Sequence, residues 1–484
     1  MSIRLRPRVL LALAVLVSLV NSCDDPAAPL PSGVVSVSID SSAGPIIRAA
    51  NITLERAAPV EVTYGAPGGP VLRFTADSQS ATYRIVLPRL RAASQYRLQV
   101  GIPAEGGVHE ATFGTAPLPA DLGRIDLTVT GQPSLPVALI EIAGAPTGEF
   151  TGLLIVERGE IVGYLPVPNA LFGMTRRANG HLVVLHFTAG LVSHRIDGTI
   201  AHQLPQTGAG TAYGRIHHDL IATPSNTILF IANDTARIDG VLVTGEALWE
   251  WSPEAGTVVK RWSAFTHLDW RTERGRGSSR STPGNWLHGN GIQYGPRGNV
   301  VMSLRNVHQV ISIAPDFNSV EWTLGGANST LAVSEADRFY GQHYVSEPAS
   351  NRLLVYDNGF ERPGCIQPPL APCYTRAIEY AINPAAKTAT KVWEYRHSPE
   401  IFASLVGSAR RLANGNTVVL FGTSVQTESS GPITAVEVNM AGAVQWRLLV
   451  ENTGAATTEP GPPSRLYRLT PIASLLGESE ATFR

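Results

Sequence analysis

Four groups of residues in this chain could bind and transfer an anionic group. They are His217-His218-Asp219, His288 within Trp286-Leu287-His288-Gly289-Asn290, Gln342-His343, and Tyr356-Asp357-Asn358-Gly359 followed by Arg362. Imidazole can act as nucleophile or proton acceptor near neutral pH, and guanidinium offers a planar fork of donors to sulfate or phosphate oxygens. His343 and Arg362 are nineteen positions apart, each at the edge of a β-like run in the stretch from Phe339 to His397. That spacing suits an anion pocket and names no reaction. A single loop histidine is more often a hydrogen-bonded structural residue, but three groups at equivalent points of successive strands point to a shared site.

A repeat supplies the elements that could gather these residues. Asn179 to Leu185, Ser225 to Ile231, Gly298 to Ser303, Ser350 to Tyr356 and Asn414 to Leu420 are versions of one turn-plus-strand, with a weaker copy from Gly152 to Pro166. Most are followed by a strand bearing tryptophan: Glu250-Trp251, Glu321-Trp322, Trp393-Glu394 and Gln445-Trp446. Repeats of roughly 45 to 75 residues fit the blades of a β-propeller with uneven loops. Residues 135–475 are therefore expected to form six blades, with Arg465 to Leu469 as a spare strand that closes the ring. Function would concentrate where loops meet at one mouth of the channel.

Ahead of the repeat, Val34 to Ile39, Val60 to Tyr64, Tyr83 to Leu87, Tyr96 to Val100 and Ala111 to Gly114 alternate with period two. They predict a small immunoglobulin- or fibronectin-III-like β-sandwich over 34–118, structural or for docking, after a Pro-rich tether at 24–33. Residues 1–23 read as a targeting segment: Arg4, Arg6 and Arg8, then the apolar run Val9 to Val20, then Val20-Asn21-Ser22-Cys23. That ending resembles a bacterial lipoprotein processing site, so Cys23 is expected to be lipidated and to anchor an exported chain on the periplasmic side of a membrane. The alternative is an ordinary signal peptide containing a cysteine. The other two cysteines, Cys365 and Cys373, are eight apart, which predicts a disulfide in an oxidising compartment; two thiols are too few for zinc.

Composition agrees with an all-β, exported protein. Charged residues are 16% and the net charge is -1, so neither nucleic-acid binding nor disorder is indicated. The 46 glycines and 35 prolines punctuate short strands throughout.

The chain resembles the bacterial arylsulfate sulfotransferases at Trp286-x-His288-x-Asn290, at Gln342-His343, and at Tyr356-Asp357-Asn358-Gly359 with Arg362. The strands Tyr374 to Tyr380 and Val392 to Tyr395 add to the likeness. The resemblance implies a periplasmic six-bladed propeller with an N-terminal sandwich. Its activity would move a sulfuryl group from a phenolic sulfate ester to a phenolic acceptor without a nucleotide or other cofactor, through a sulfated histidine. It implies catalytic roles for His288 and His343, sulfate binding by Arg362, and a part for His218. His217, Asn290, Asn358 and Gln426 would line the substrate site, and no metal is implied.

One position departs from that pattern. Where the family carries its sulfated histidine, this chain reads Gly422-Thr423-Ser424-Val425-Gln426, and an amide cannot form a sulfo-imidazole. Arg305-Asn306 also replaces a common Arg-His, with His308 two residues on. Three readings follow: a sulfotransferase using another histidine such as His343 or His218, or direct transfer; a sulfate-ester or phenol-binding propeller without catalysis; and a lipid-anchored interaction platform. Oligomeric state is not legible.

Overall fold

The computed structural model describes residues 33–473 and 475, apart from 42–43, 45, 104, 123–124, 144–149, 168–169, 207–210, 274–279, 366–372, 424–431 and 453–464. Cys23 and Gln426 lie outside the described residues. The chain is all-β, and no described helix is long and apolar enough to cross a membrane.

Five strands form the N-terminal sheet: β1 (Val34–Asp40), β2 (Arg48–Gly65), β3 (Leu72–Leu87), β4 (Gln95–Gly101) and β5 (Val108–Gly114). All five runs read from the sequence fall inside them. The long β2 pairs with β1 over its first half and with β4 over its second, while β3 follows it throughout with breaks in register near Ala58. Alternation buries Val60, Val62 and Tyr64 against Leu98 and Val100, as a half-buried strand requires. The first half of β2 was not foreseen, because Arg48-Ala49-Ala50-Asn51 carries little β-preference.

Six further sheets follow in chain order, each antiparallel. The first contains β7 (Val137–Ala143), β8 (Gly152–Glu157) and β9 (Glu160–Pro166). The second is β10 (Ala170–Arg176), β11 (Leu182–His186), β12 (Gly190–His194) and β13 (Ile200–Leu204). The third is β14 (Ile216–Ala222), β15 (Ile228–Ile238), β16 (Val241–Ser252) and β17 (Thr257–Ser263). The fourth is β18 (Gly289–Tyr294), β19 (Val300–Leu304), β20 (Gln309–Ile313) and β21 (Val320–Gly325). The fifth is β22 (Tyr344–Ala349), β23 (Arg352–Asp357), β24 (Arg376–Asn383) and β25 (Thr388–Tyr395). The sixth is β26 (Ser408–Arg411), β27 (Thr417–Phe421), β28 (Ile433–Val438) and β29 (Val444–Asn452).

Two strands cross between the ends of the chain. The C-terminal β30 (Arg465–Ile472) pairs with β7 and completes the first sheet, while β6 (Ile125–Gly131), lying before the expected boundary at 135, adds to the outer edge of the sixth by pairing with β29. The first strands of successive sheets touch in a closed cycle, β10 to β14, β18, β22, β26, β30 and back to β10. Adjacent sheets bury apolar faces against each other, as Leu229, Ile231 and Leu248 do against Val300, Met302 and Ile311.

The five turn-plus-strand copies are β11, β15, β19, β23 and β27, the second strand of each sheet. Trp322, Trp393 and Trp446 stand on fourth strands, whereas Trp251 is on a third strand and its neighbour Trp262 holds the fourth-strand place. The N-terminal sheet docks on the ring through Arg89–Glu157, Arg91–Glu160 and Arg84–Asp197, the last at 3.0 Å. A cleft beside these contacts is lined by Ile46, Val86, Tyr164 and Leu182; none of the histidines reaches it.

Candidate functional site

His218 lies in the bulged start of first strand β14, and His288 and His343 immediately precede first strands β18 and β22, so the three stand near the beginnings of the first strands of three neighbouring sheets. The strand register breaks between Ile216 and Leu220 and between Gly289 and Gly291, and His218 (φ 58°) and His288 (φ 54°) take left-handed backbone. Non-glycine residues in that region are uncommon and concentrate at functional sites. The bulges turn side chains from neighbouring sheets toward one another. The His218 and His288 rings lie 4.5 Å apart between centroids, and His217 and His218 5.0 Å apart.

Hydrogen bonds set the orientation of each ring. His343 Nδ1 donates to Asn358 Oδ1 at 2.9 Å and to the Gly341 carbonyl at 3.1 Å, and His288 Nδ1 donates to Asn285 Oδ1 at 3.2 Å. All three acceptors are carbonyl-type oxygens, so in the neutral rings of His343 and His288 the proton sits on Nδ1 and Nε2 is the basic nitrogen. His217 Nδ1 lies 2.9 Å from His218 Nδ1, and His217 Nε2 lies 2.9 Å from Glu246 Oε2.

Burial dominates the electrostatics. It lowers the affinity of His218 and His343 for a proton well below that of an ordinary imidazole; for His218 the other histidines and Arg305 add to this, and for His343 Arg305 does. His288 is lowered to about 4 by burial and then by Arg305. All three rings are therefore neutral near pH 7.

Arg305, at the end of β19, is the cation these histidines feel. Its guanidinium is buried; Nη1 donates to Asn306 Oδ1 at 3.1 Å, and Nη2 has no hydrogen-bond partner among the described residues. Burial and the nearby Arg280 bring its own pKa down to about 10, so it stays charged. Phe360 packs beneath both arginines, 4.2 Å from Arg280 and 5.5 Å from Arg305. In the sequence Arg305 stands out only as half of an altered pair. A lone arginine ending the wholly buried strand Val300-Val301-Met302-Ser303-Leu304 was the available signal.

Arg362, expected to bind sulfate, is engaged in a buried ion cluster. Its Nη2 donates to Asp357 Oδ2 at 2.6 Å, an oxygen shared with Arg376 Nε at 2.8 Å, and its guanidinium lies over Tyr374 at 4.2 Å. Burial alone would raise the Asp357 carboxyl, but Arg362 and Arg376 outweigh it and hold the group below its usual range. Asn290 and Asn358 are fully buried and engaged at both ends. Asn290 donates to the Gln342 carbonyl (2.9 Å) and accepts from Ser303 (2.8 Å). Asn358 donates to the Ala403 and Val406 carbonyls (2.8 and 2.9 Å) while accepting from His343. Both orient the site. His308 Nδ1 accepts from the Gly341 N–H at 3.0 Å and steadies the loop before His343. The disulfide Cys365–Cys373 is present, with Cα atoms 4.7 Å apart. Among the described residues no three His, Cys, Asp or Glu side chains are placed to hold a metal.

The arrangement gathers neutral, basic nitrogens beside a desolvated guanidinium. It can hold an anionic group on the cation while an imidazole attacks it or takes a proton. Comparison with known proteins bears on which group. An arylsulfate sulfotransferase, AssT of Escherichia coli O6:H1 (strain CFT073), is 26% identical over 186 residues, which is 32% of this chain and 30% of that relative's length. Among solved structures, a streptogramin B lyase aligns over 84% of this chain and 98% of its own, with 11% identity and a TM-score of 0.36. The Pseudomonas aeruginosa periplasmic gluconolactonase PpgL aligns over the same shares, with 12% identity and a TM-score of 0.37. The arylsulfotransferase (ASST) family matches residues 149–454, spanning five of the six sheets and every histidine of the site, and the chain belongs to that family.

Proposed function

We propose that this protein transfers a sulfuryl group from a phenolic sulfate ester to a phenolic acceptor without a nucleotide cofactor. The six sheets are read as the six blades of a propeller and the N-terminal sheet as a docked β-sandwich-like unit. The whole is exported and lipid-anchored at Cys23 on the periplasmic side of a membrane. What supports the activity is the 4.5 Å approach of the His218 and His288 rings, with the Arg305 N–H donating to the His288 carbonyl at 3.2 Å and the Arg305 charge acting on all three buried histidines.

In the first half-reaction an imidazole Nε2 attacks sulfur. The bond from sulfur to the aryl oxygen breaks, and the phenolate leaves with the electron pair and takes a proton from water, which the histidine protonated in the second half-reaction returns to solvent. In the second, the acceptor phenol gives its proton to a neighbouring histidine, its oxygen bonds sulfur, and the S–N bond breaks. In flight the negative charge is shared between the sulfuryl oxygens and the departing aryl oxygen, and Arg305 stabilises the anionic assembly without needing to move. His218 or His343 serves as nucleophile in this reading.

Gln426 favours a second reading, in which the pocket binds aryl sulfates without turnover. One assay separates the two. Protein lacking residues 1–23 is mixed with an aryl sulfate donor and a phenol acceptor, and donor phenol release is followed. Turnover that is lost in His343→Ala and Arg305→Ala supports transfer, as does a histidine carrying a sulfuryl group in mass spectra. Saturable donor binding with no turnover supports the binding reading and sinks the enzymatic one.

A further inference from the structure

Asn358 is fully buried, and its amide can face only one way. Nδ2 donates to the Ala403 carbonyl at 2.8 Å and to the Val406 carbonyl at 2.9 Å, which uses both amide hydrogens. Turning the amide over would set Oδ1 against two carbonyl oxygens, so Oδ1 faces His343 Nδ1, 2.9 Å away. Val406 presents its carbonyl under strain: it is β-branched yet takes left-handed backbone (φ 52°), a conformation that persists only where the surroundings enforce it. Thr375 braces both sides, its hydroxyl donating to the Asn358 carbonyl at 2.9 Å and accepting from the Ala403 N–H at 2.8 Å.

We propose that His343 is the histidine that carries the sulfuryl group, on Nε2, and that Asn358, locked by the turn from Ala403 to Val406, is the positioning residue that keeps the His343 proton on Nδ1. Two acceptors, Asn358 Oδ1 and the Gly341 carbonyl, hold that proton. Burial, and then Arg305, keep the ring from taking a second one near pH 7. Nε2 has no partner among the described residues and is not sealed from solvent. His288 has a looser setting. Its partner Asn285 is exposed, and that amide can turn over and carry the His288 proton from one ring nitrogen to the other, which suits a group that gives and takes protons. The 2.9 Å contact of His218 Nδ1 with His217 Nδ1 does not by itself fix a tautomer.

In this step, which rests on the transferase reading above, His343 Nε2 bonds sulfur as the bond from sulfur to the aryl oxygen breaks, and the phenolate takes its proton from water. The ring then bears the sulfuryl group on Nε2 and a proton on Nδ1. It is cationic, and the two acceptor oxygens stabilise it. The acceptor phenol gives its proton to His288, its oxygen bonds sulfur, and the S–N electron pair returns to Nε2. His288 releases the proton to solvent.

Full-length protein serves for the tests. In nitrogen-15 NMR of the histidine-labelled chain, His343 should show a protonated Nδ1 and an unprotonated Nε2; the reverse pattern overturns the proposal whether or not the protein is active. After brief treatment with para-nitrophenyl sulfate and quenching, mass spectra should place the sulfuryl group on the peptide that holds His343. Turnover with the group on another histidine, or on none, overturns the assignment and leaves the transferase reading standing. Absence of both turnover and a sulfated histidine sinks the transferase reading and the nucleophile with it, and the NMR pattern alone then decides whether Asn358 sets the tautomer. Asn358→Leu removes the lock. In the folded variant kcat should fall about 10- to 100-fold with donor KM within about threefold, and His343 should no longer show a single tautomer. An unchanged kcat and an unchanged NMR pattern, or a fall confined to KM, would remove Asn358 from its positioning role.

Discussion

At the scale of single residues, burial decides protonation before any neighbour does. His288 loses its charge down to about pH 4 because a buried imidazolium lacks hydration, and Arg305 adds repulsion. A reaction that needs neutral imidazoles should therefore show no inflection in kcat/KM near pH 6.5, the value of a free side chain, and should fall only toward pH 4. The same shift has a consequence for stability. Between about pH 6.5 and 4 the unfolded chain binds a proton at His288 that the folded one does not, so stability should decline as pH falls through that window. Thermal melts across pH 4 to 7 would check it; a melting temperature rising on acidification would contradict the assignment. Arg305 can be tested alongside. Arg305→Lys keeps a charge but loses the planar fork, and about a 10- to 100-fold drop in kcat is expected, with a larger loss of about 10²- to 10³-fold in Arg305→Ala.

At the scale of elements, legibility followed burial pattern. Second strands such as Val300–Leu304 and Thr417–Phe421 are buried along their whole length and follow a Gly- or Asn-bearing turn, so they stood out as repeats. The first strands that carry the site did not. In Ile216–Ala222 and Gly289–Tyr294, histidine, asparagine and glycine sit at bulges, with left-handed backbone at His218 and, just before the second of these strands, at His288, which erases any period of two. Types of residue were therefore visible while register was not. Arg362 illustrates this: the residue was conspicuous in the sequence, yet its partner Asp357, five positions earlier, takes it into an ion cluster with Arg376. Replacing it by glutamine should cost roughly 3 kcal/mol of stability, because Asp357 loses one of two buried partners, while kcat of the folded protein changes little. A loss of kcat without loss of stability would give Arg362 a part in the reaction itself. The Cys365–Cys373 bridge closes the adjoining loop, and Cys365 N–H donates to the Arg362 carbonyl at 2.9 Å. Serine at both cysteines should lower stability by about 2–3 kcal/mol from loop entropy, seen as a lower melting point insensitive to reductant.

At the scale of the whole molecule, the ring depends on residues that are far apart in the chain, which no local pattern could reveal. Strand β30 was legible as a spare strand; the reach of its side chains was not. Arg468, fully buried, donates through Nη2 to Asp219 Oδ2 and to the Asn290 carbonyl, each at 2.9 Å, and the Tyr467 hydroxyl donates to that same carbonyl at 2.9 Å. Asp219 Oδ2 in turn accepts from Ile292 N–H at 2.8 Å. The last strand of the chain thus ties together the two first strands that present His218 and His288. A buried pair of this kind stabilises little in net terms, since desolvation offsets attraction, but breaking it leaves one charge without its partner. Arg468→Met is accordingly expected to cost about 3–5 kcal/mol in denaturant melts. Adding Asp219→Asn should restore a substantial part of that loss, because the orphaned charge disappears with it. If the double variant were less stable than Arg468→Met alone by the full cost of a second independent lesion, the two side chains would not act as a pair, and closure of the ring would have to rest on the pairing of β30 with β7 alone.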